Sequence, residues 1–307
     1  MSHVYQTVML AKLHSSRGKT NVESQYNKRN YPSSYLRGII MSDNQGIKII
    51  YDGDLVHMVL DRPKQLNALN DGIRQVIATT LNELIERPDI RLLVLSGEGK
   101  SFCSGADLKT TSYPKVEGSW STRRNRTATW QRVLEQMERI PQVTIASMQG
   151  HIVGGGALLA TACDFRVISE NAVLRIPELA LGIPNVWNGT PLLAREVGLP
   201  TARDWIMTTR KVTSAELKQS GWAQRVASDG DLKRTTQTLI DELLAVPPAA
   251  LAMTRSMTSA LGRSAPGMNM GWADADLQQW ALTEDEYKET VRNYARKVGS
   301  KAASKPD

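Results

Sequence analysis

Three consecutive glycines, Gly154-Gly155-Gly156, follow Gln149-Gly150-His151-Ile152-Val153 and open an apolar pattern through Ala157-Leu158-Leu159. No other stretch restricts the fold as much. The apolar run Val143-Thr144-Ile145-Ala146 precedes it, so the chain reads strand, turn, helix. Glycines in such a turn leave backbone N–H groups open to a ligand, with no side chain in the way. A second turn of small residues, Gly105-Ala106-Asp107, comes after another apolar run, Leu92-Leu93-Val94-Leu95. Two such turns on neighbouring strands aim two N–H donors at one oxygen, which is how an oxyanion hole is built. The pair points to chemistry through a stabilised oxyanion.

The surrounding pattern is that of an α/β protein. Ile47–Tyr51 and Leu55–Leu60 flank Asp52-Gly53, a hairpin signal. A helix is predicted over Asp71–Glu86, with Ile73, Val76, Ile77, Leu81, Leu84 and Ile85 on one face and Pro88 beyond its end. A second is predicted over Arg123–Ile140 and a third from about Gly155 to Cys163. Leu92–Leu95, Val143–Met148, Phe165–Ile168 and Val173–Ile176 read as strands. Repeated strand–turn–helix units imply buried parallel strands. In the last third, Leu232–Leu244, Ala249–Leu261 and Leu277–Lys297 read as helices, broken by Pro247-Pro248 and by the region 262–271. The expected division is a basic extension over 1–42, a core over 43–245 and a helical C-terminal region over 246–307.

Charge and composition exclude several classes of function. The net charge is +7, yet residues 1–40 hold six basic residues against Glu23 alone, five of the seven net charges. The excess sits in an arm, which argues against a nucleic-acid surface on the body. RNA binding by the arm itself is a weaker idea. Residues 1–40 are polar, show little periodicity and read as poorly ordered. They are acid-poor, as mitochondrial transit peptides are, and a start at Met41 gives the same appearance. No apolar run approaches the roughly 20 residues that cross a bilayer. Two cysteines and four scattered histidines suggest neither a disulfide framework nor a metal site. A reducing, cytoplasmic compartment is the simple reading.

Four segments, in order, carry a family resemblance. They are Asp61-Arg62-Pro63-Lys64-Gln65-Leu66-Asn67-Ala68-Leu69, Ser101-Phe102-Cys103-Ser104-Gly105-Ala106-Asp107-Leu108-Lys109, the triple-glycine segment, and Pro177-Glu178-Leu179-Ala180-Leu181-Gly182-Ile183-Pro184. Together they resemble the crotonase (enoyl-CoA hydratase/isomerase) superfamily over about residues 46–262. The resemblance implies a spiral core of repeated ββα units, an acyl-CoA substrate and a homotrimer or a dimer of trimers. It implies no metal or redox cofactor, coenzyme A being part of the substrate.

Carried over residue by residue, the N–H groups of Ala106 and Gly155 match the family's oxyanion hole, which binds a thioester carbonyl and stabilises its enolate. Lys64, Gln65 and Leu66 match the adenine-contacting loop, and Lys109 a residue near the CoA phosphates. Asp107 is a further substrate-side candidate, or orders its own loop. Glu178 matches the second catalytic glutamate, the candidate for proton transfer at the substrate α-carbon. Trp187, near Asn185 and Asn188, either bounds the acyl pocket or packs in the core. His151 and Cys103 read as structural. Tyr287, Tyr294 and Lys297 lie where the family often reaches CoA.

The departure is Leu158, two residues past Gly156, where two-glutamate hydratases carry their other glutamate. Leucine cannot activate water. Shifting a double bond needs one base that removes and returns a proton, so isomerisation is favoured. Hydration, hydratase-lyase chemistry, thioester hydrolysis and a non-catalytic acyl-CoA-binding subunit remain the alternatives.

Overall fold

The computed structural model describes residues 39–42, 45–108, 118–228, 230–265 and 267–303. The described chain opens with β1 (Ile39–Ser42), β2 (Ile47–Asp52), β3 (Leu55–Leu60), α1 (Asp71–Ile85) and β4 (Leu92–Gly97). Helices α2 (Trp120–Thr127) and α3 (Thr129–Met137) lead to β5 (Val143–Met148), a short β6 (His151–Val153) and α4 (Gly155–Thr161). Then come β7 (Phe165–Ser169), β8 (Val173–Arg175), α5 (Gly189–Val197), α6 (Leu199–Thr208), β9 (Val212–Thr213), α7 (Ser214–Gln219) and β10 (Arg225–Ala227). Four helices follow: α8 (Leu232–Ala245), α9 (Pro248–Arg263), α10 (Asp274–Ala281) and α11 (Asp285–Ala303).

Two sheets organise these elements. The larger runs β1-β2-β3-β4-β5-β7-β10, antiparallel from β1 to β3 and parallel from β3 onward. The smaller is β6-β8-β9, with β6 and β8 parallel. The predicted hairpin is present, its strands paired from Ile47↔Leu60 to Asp52↔Leu55. Gly53 supplies the positive φ, +59°, that the two-residue turn requires.

The central strands are apolar on both faces because both faces are covered. Leu93 and Leu95 of β4 point into the main core with Ile73, Ile77, Leu81 and Leu84 of α1. Leu92 and Val94 point the other way, into a second cluster with Leu239, Ile240 and Leu243 of α8. Each fully buried aliphatic side chain is worth roughly 1.5–3 kcal/mol relative to exposure. Helix α1 starts where Asn70 accepts a hydrogen bond from Ile73 N–H at 2.8 Å. Ile85 departs from expectation: it is 49% exposed, because it lies about 100° around the helix from buried Leu84.

Two predicted helices are each split in two. The span Arg123–Ile140 breaks at Ala128, whose N–H still reaches Arg124 O while ψ relaxes to −2°. Helix α2 buries no side chain, whereas α3 buries Trp130, Val133, Leu134 and Met137. The span Leu277–Lys297 breaks at 282–284, where Thr283 and Glu284 N–H close tight turns onto Trp280 and Ala281 O. Strands β6, β9 and β10 and helices α5 to α7 had no counterpart in the sequence reading. The last four residues of the predicted 1–42 extension form β1, paired with β2; residues 1–38 and 43–44 lie outside the described residues. Among the described residues no helix is long and apolar enough to cross a membrane.

Candidate active site

Parallel pairing brings the four sequence motifs to one place. Strands β6 and β8 pair up to Val153↔Arg175, so both chains leave the sheet at the same end. The glycine turn emerges from one and the Ile176-Pro177-Glu178 turn from the other, tied by Gly154 N–H donating to Arg175 O at 3.0 Å. A parallel bridge, Cys103↔Ile152, lays Ser104-Gly105-Ala106 alongside. A further bridge, Leu69↔Ala106, adds the first motif. The two small-residue turns touch: a Cβ on Gly105 (φ +88°) would lie 3.1 Å from Val153 O.

These turns present free donors. Gly155 is the first residue of α4, so its N–H has no preceding turn to bond. Ala106 N–H has no partner among the described residues, although both neighbours are engaged: Gly105 O accepts from Leu69 N–H and Asp107 N–H donates to Leu69 O. Gly105 N–H donates to Cys103 Sγ at 3.4 Å. Side chains are excluded at the glycines. A Cβ on Gly156 would lie 2.6 Å from Cys103 Sγ, and one on Gly155 would collide with the Trp187 ring.

Glu178 starts a 3-10 turn, Glu178–Leu181, directly beside the glycines. A Cβ on Gly154 would lie 2.6 Å from Glu178 Oε1. Glu178 Oε2 is sealed from solvent and accepts no hydrogen bond among the described residues. Burial raises the carboxyl to about 7; the residue's own N–H opposes that only in part. A carboxyl titrating there takes and returns protons near neutral pH.

The remaining predicted residues divide. Trp187 is buried, stacks on Trp130 at 5.4 Å between centroids, and walls the Gly155 turn. Leu158 is 2% exposed and packs towards Gly189 and Asn185. Lys64 and Gln65 are exposed and Leu66 is half-buried. Asp107 is buried and pairs with Arg62 at 2.8 Å, so it orders its own loop. Tyr287 is buried, its backbone against Gly182. Lys109 and the side chains of Tyr294 and Lys297 lie outside the described residues. Cys103 and Cys163 are buried free thiols, each pushed up to about 12 by burial, so they are protonated. Among the described residues no group of three potential metal ligands is found.

Sequence reasoning named Trp187 and Asn188 beside the acyl pocket but missed their backbone, and it missed the role of Asn67. Asn67 is completely buried and joins three segments through its side chain. Trp187 and Asn188 both have left-handed backbone, φ +61° and +60°, a strained pair that turns the indole onto Gly155. Asn188 N–H donates to Asp274 Oδ2 at 2.6 Å, which ties that corner to α10.

The layered sheets and the helical C-terminal region define a protein of the crotonase fold. An enoyl-CoA hydratase from Mycobacterium avium subsp. paratuberculosis shares it, with a TM-score of 0.73 at 21% identity over 82% of this chain and 96% of that one. The enoyl-CoA hydratase/isomerase family model matches residues 52–302, and the chain belongs to that family. It is similar to the enoyl-CoA isomerase/hydratase fer4 of Mycosarcoma maydis, 31% identical over 229 residues, 71% of this chain and 82% of the relative. A Thermobifida fusca protein crystallised with acetoacetyl-CoA is 31% identical, with a TM-score of 0.65 over 77% of this chain and 95% of that one.

Proposed function

We propose that this protein shifts the double bond of an enoyl-CoA thioester through an enolate held by the N–H groups of Ala106 and Gly155. The reading is carried by one observation: the Glu178 carboxyl stands beside the glycine turns with Oε2 sealed from solvent and without a partner among the described residues, and burial raises it to about 7. In the forward direction Glu178 takes a proton from the α-carbon of a 3-enoyl thioester. The electron pair moves onto the thioester oxygen, where the two N–H donors stabilise it. The same proton returns at the γ-carbon as the double bond reforms between the α- and β-carbons. One base suffices, and Leu158 adds none. Lys64, Gln65 and Leu66 take the adenine end of coenzyme A, the family match assigns Lys109 to its phosphates, and Trp187 closes the acyl pocket. The acetoacetyl-CoA bound by the Thermobifida fusca protein supports a thioester of this kind. No cofactor beyond the substrate's own coenzyme A is assigned.

A second reading, hydration or thioester hydrolysis, is favoured by Asn185. The residue is 7% exposed, its amide meets Leu158 over the same face of Gly189, and Oδ1 has no partner among the described residues. An amide there holds a water where Leu158 cannot. Assays with 3-enoyl-CoA and 2-enoyl-CoA, on wild type and Glu178→Gln, separate the two. Isomerisation lost with Glu178 supports the first reading; every activity surviving the substitution removes it.

Assembly as a homotrimer or a dimer of trimers is part of the proposal, supported by apolar side chains left exposed on α9. We place the chain in the cytoplasm, as two free buried thiols favour a reducing compartment.

A further inference from the structure

The loop expected to take the nucleotide is stitched to the oxyanion turn. Residues 62–67 close on themselves: Arg62 N–H donates to Asn67 Oδ1 at 2.8 Å, and Asn67 N–H donates to Arg62 O at 2.9 Å. Leu66 and Asn67 both sit in the left-handed region, φ +49° and +56°. Such a conformation is costly for a residue with a side chain and persists only where its surroundings impose it.

Those surroundings are the oxyanion side of the site. Ser104 N–H donates to Leu66 O at 2.9 Å, and Cys103 Sγ donates to Asn67 O at 3.2 Å. Asn67 Nδ2 donates to Ser101 O at 2.8 Å and to Glu98 O at 2.9 Å. Arg62 completes the join. Its guanidinium lies 2.8 Å from Asp107 Oδ2 and donates to Ala68 O at 2.7 Å. Asp107 directly follows Ala106, and both Arg62 and Asp107 side chains are largely shielded from solvent, at 17% and 7% exposure. An ion pair this shielded is not screened away, and displacing either partner removes a charge that the other is placed against. Lys64 and Gln65, on the same loop, face solvent.

We propose that Arg62 is a positioning residue: through Asp107 it makes occupancy of the Lys64–Leu66 loop by the nucleotide end of the thioester raise turnover, by holding Ala106 N–H on the reacting carbonyl. The inference rests on the roles given above to Ala106 and to that loop. Energy gained by a remote part of a substrate speeds a reaction only if it is expressed in the transition state, and a rigid link between the two loops is a route for it. A displaced donor is expensive, since a misplacement of about 1 Å costs on the order of a hundredfold in rate.

The experiment compares an enoyl-CoA with the matching enoyl-pantetheine, which has the same thioester without the nucleotide. kcat and KM are measured for both on wild type, Arg62→Met and Arg62→Lys. In wild type, loss of the nucleotide is expected to lower kcat by about tenfold or more, besides raising KM. In Arg62→Met, kcat for the enoyl-CoA falls to about the wild-type enoyl-pantetheine value, and truncation then raises KM alone; Arg62→Lys recovers part of the difference. A merely structural Arg62 lowers kcat equally for both substrates and preserves their wild-type ratio, which overturns the proposal. So does a wild type in which truncation leaves kcat untouched. Should Arg62→Met fail to fold, Asp107→Asn breaks the same pair and must show the same collapse of the ratio. Failure of the underlying reading looks different: coenzyme A alone then gives no binding heat with wild type, and the inference falls with it.

Discussion

Burial raises Glu178 to about 7, with no partner for Oε2 among the described residues, and its ionisation carries two signatures. As a base it must be ionised, so turnover is expected to rise with pH through about 7 and level off above, in a kcat–pH profile. Folding responds in the opposite sense. Below 4.5, its ordinary value, the carboxyl is protonated in folded and unfolded chains alike. Between there and about 7 only the unfolded chain gives up its proton, so stability is whole below 4.5 and is lost as pH rises through the folded value. At about 1.4 kcal/mol per unit, the loss is on the order of 3 kcal/mol by pH ~8. Glu178→Gln has nothing to ionise. Its Tm relative to wild type is therefore expected to climb between pH ~5 and ~8, while its activity falls about 100-fold or more. Leu158 tests the other half of the site. Leu158→Glu puts a carboxyl into a 2%-exposed position, so thermal unfolding should show a loss of about 2 kcal/mol. Hydration of 2-enoyl-CoA should rise relative to isomerisation; an unchanged ratio means Leu158 does not decide the reaction. Glu178 was legible in the sequence because it sits in a motif. Asn67 was not, because its bonds run to Glu98 and Ser101, more than 30 positions away, and a buried Asn reads like any polar loop residue.

At the scale of elements, the strands and turns that build the site were legible and the pairing that assembles them was not. The hairpin, the apolar strands β4 and β5 and the glycine turn follow from local pattern. Strand β6 has only three residues, His151–Val153, too few for a period, yet its pairing with β8 is what sets Glu178 beside Gly154. The split of α2 from α3 escaped for a related reason: one residue with relaxed ψ does not interrupt an apolar period. The α4 turn also carries a steric constraint that can be measured. Gly155 does not need a positive φ, so alanine fits its backbone, but the new Cβ meets the Trp187 ring. That ring cannot slide away, being stacked on Trp130. Gly155→Ala is expected to cost about 1–3 kcal/mol in denaturant unfolding through overpacking. Adding Trp187→Leu should recover most of it. Simple additivity of the two costs would mean that the ring and the turn do not meet.

At the scale of the whole molecule, the C-terminal helices are anchored on one side and open on the other. Arg255, 5% exposed, fixes α9 to the core: it pairs with Asp164 at 3.2 Å and donates to Met137 O and Ile140 O. Met253, Met257 and Leu261 repeat every fourth residue on the same helix and are 67%, 73% and 73% exposed. Trp272 and Trp280, beyond it, are 74% and 68% exposed. Scattered exposed apolar residues are ordinary on a monomer, but a stripe at helical spacing with two tryptophans nearby supports the proposed association through this face. Sedimentation of wild type should therefore give a trimer or hexamer mass. Met257→Glu with Leu261→Glu places two charges on the stripe, far from the Arg255 anchor, so each subunit should stay folded by circular dichroism while the assembly dissociates. A wild-type monomer, or an oligomer indifferent to both charges, removes α9 as the contact. Because α10 holds Asn188 through Asp274, dissociation should also loosen the Trp187 corner. Turnover is then expected to fall together with mass across a dilution series, and activity that ignores dissociation would show that each subunit's site is complete alone.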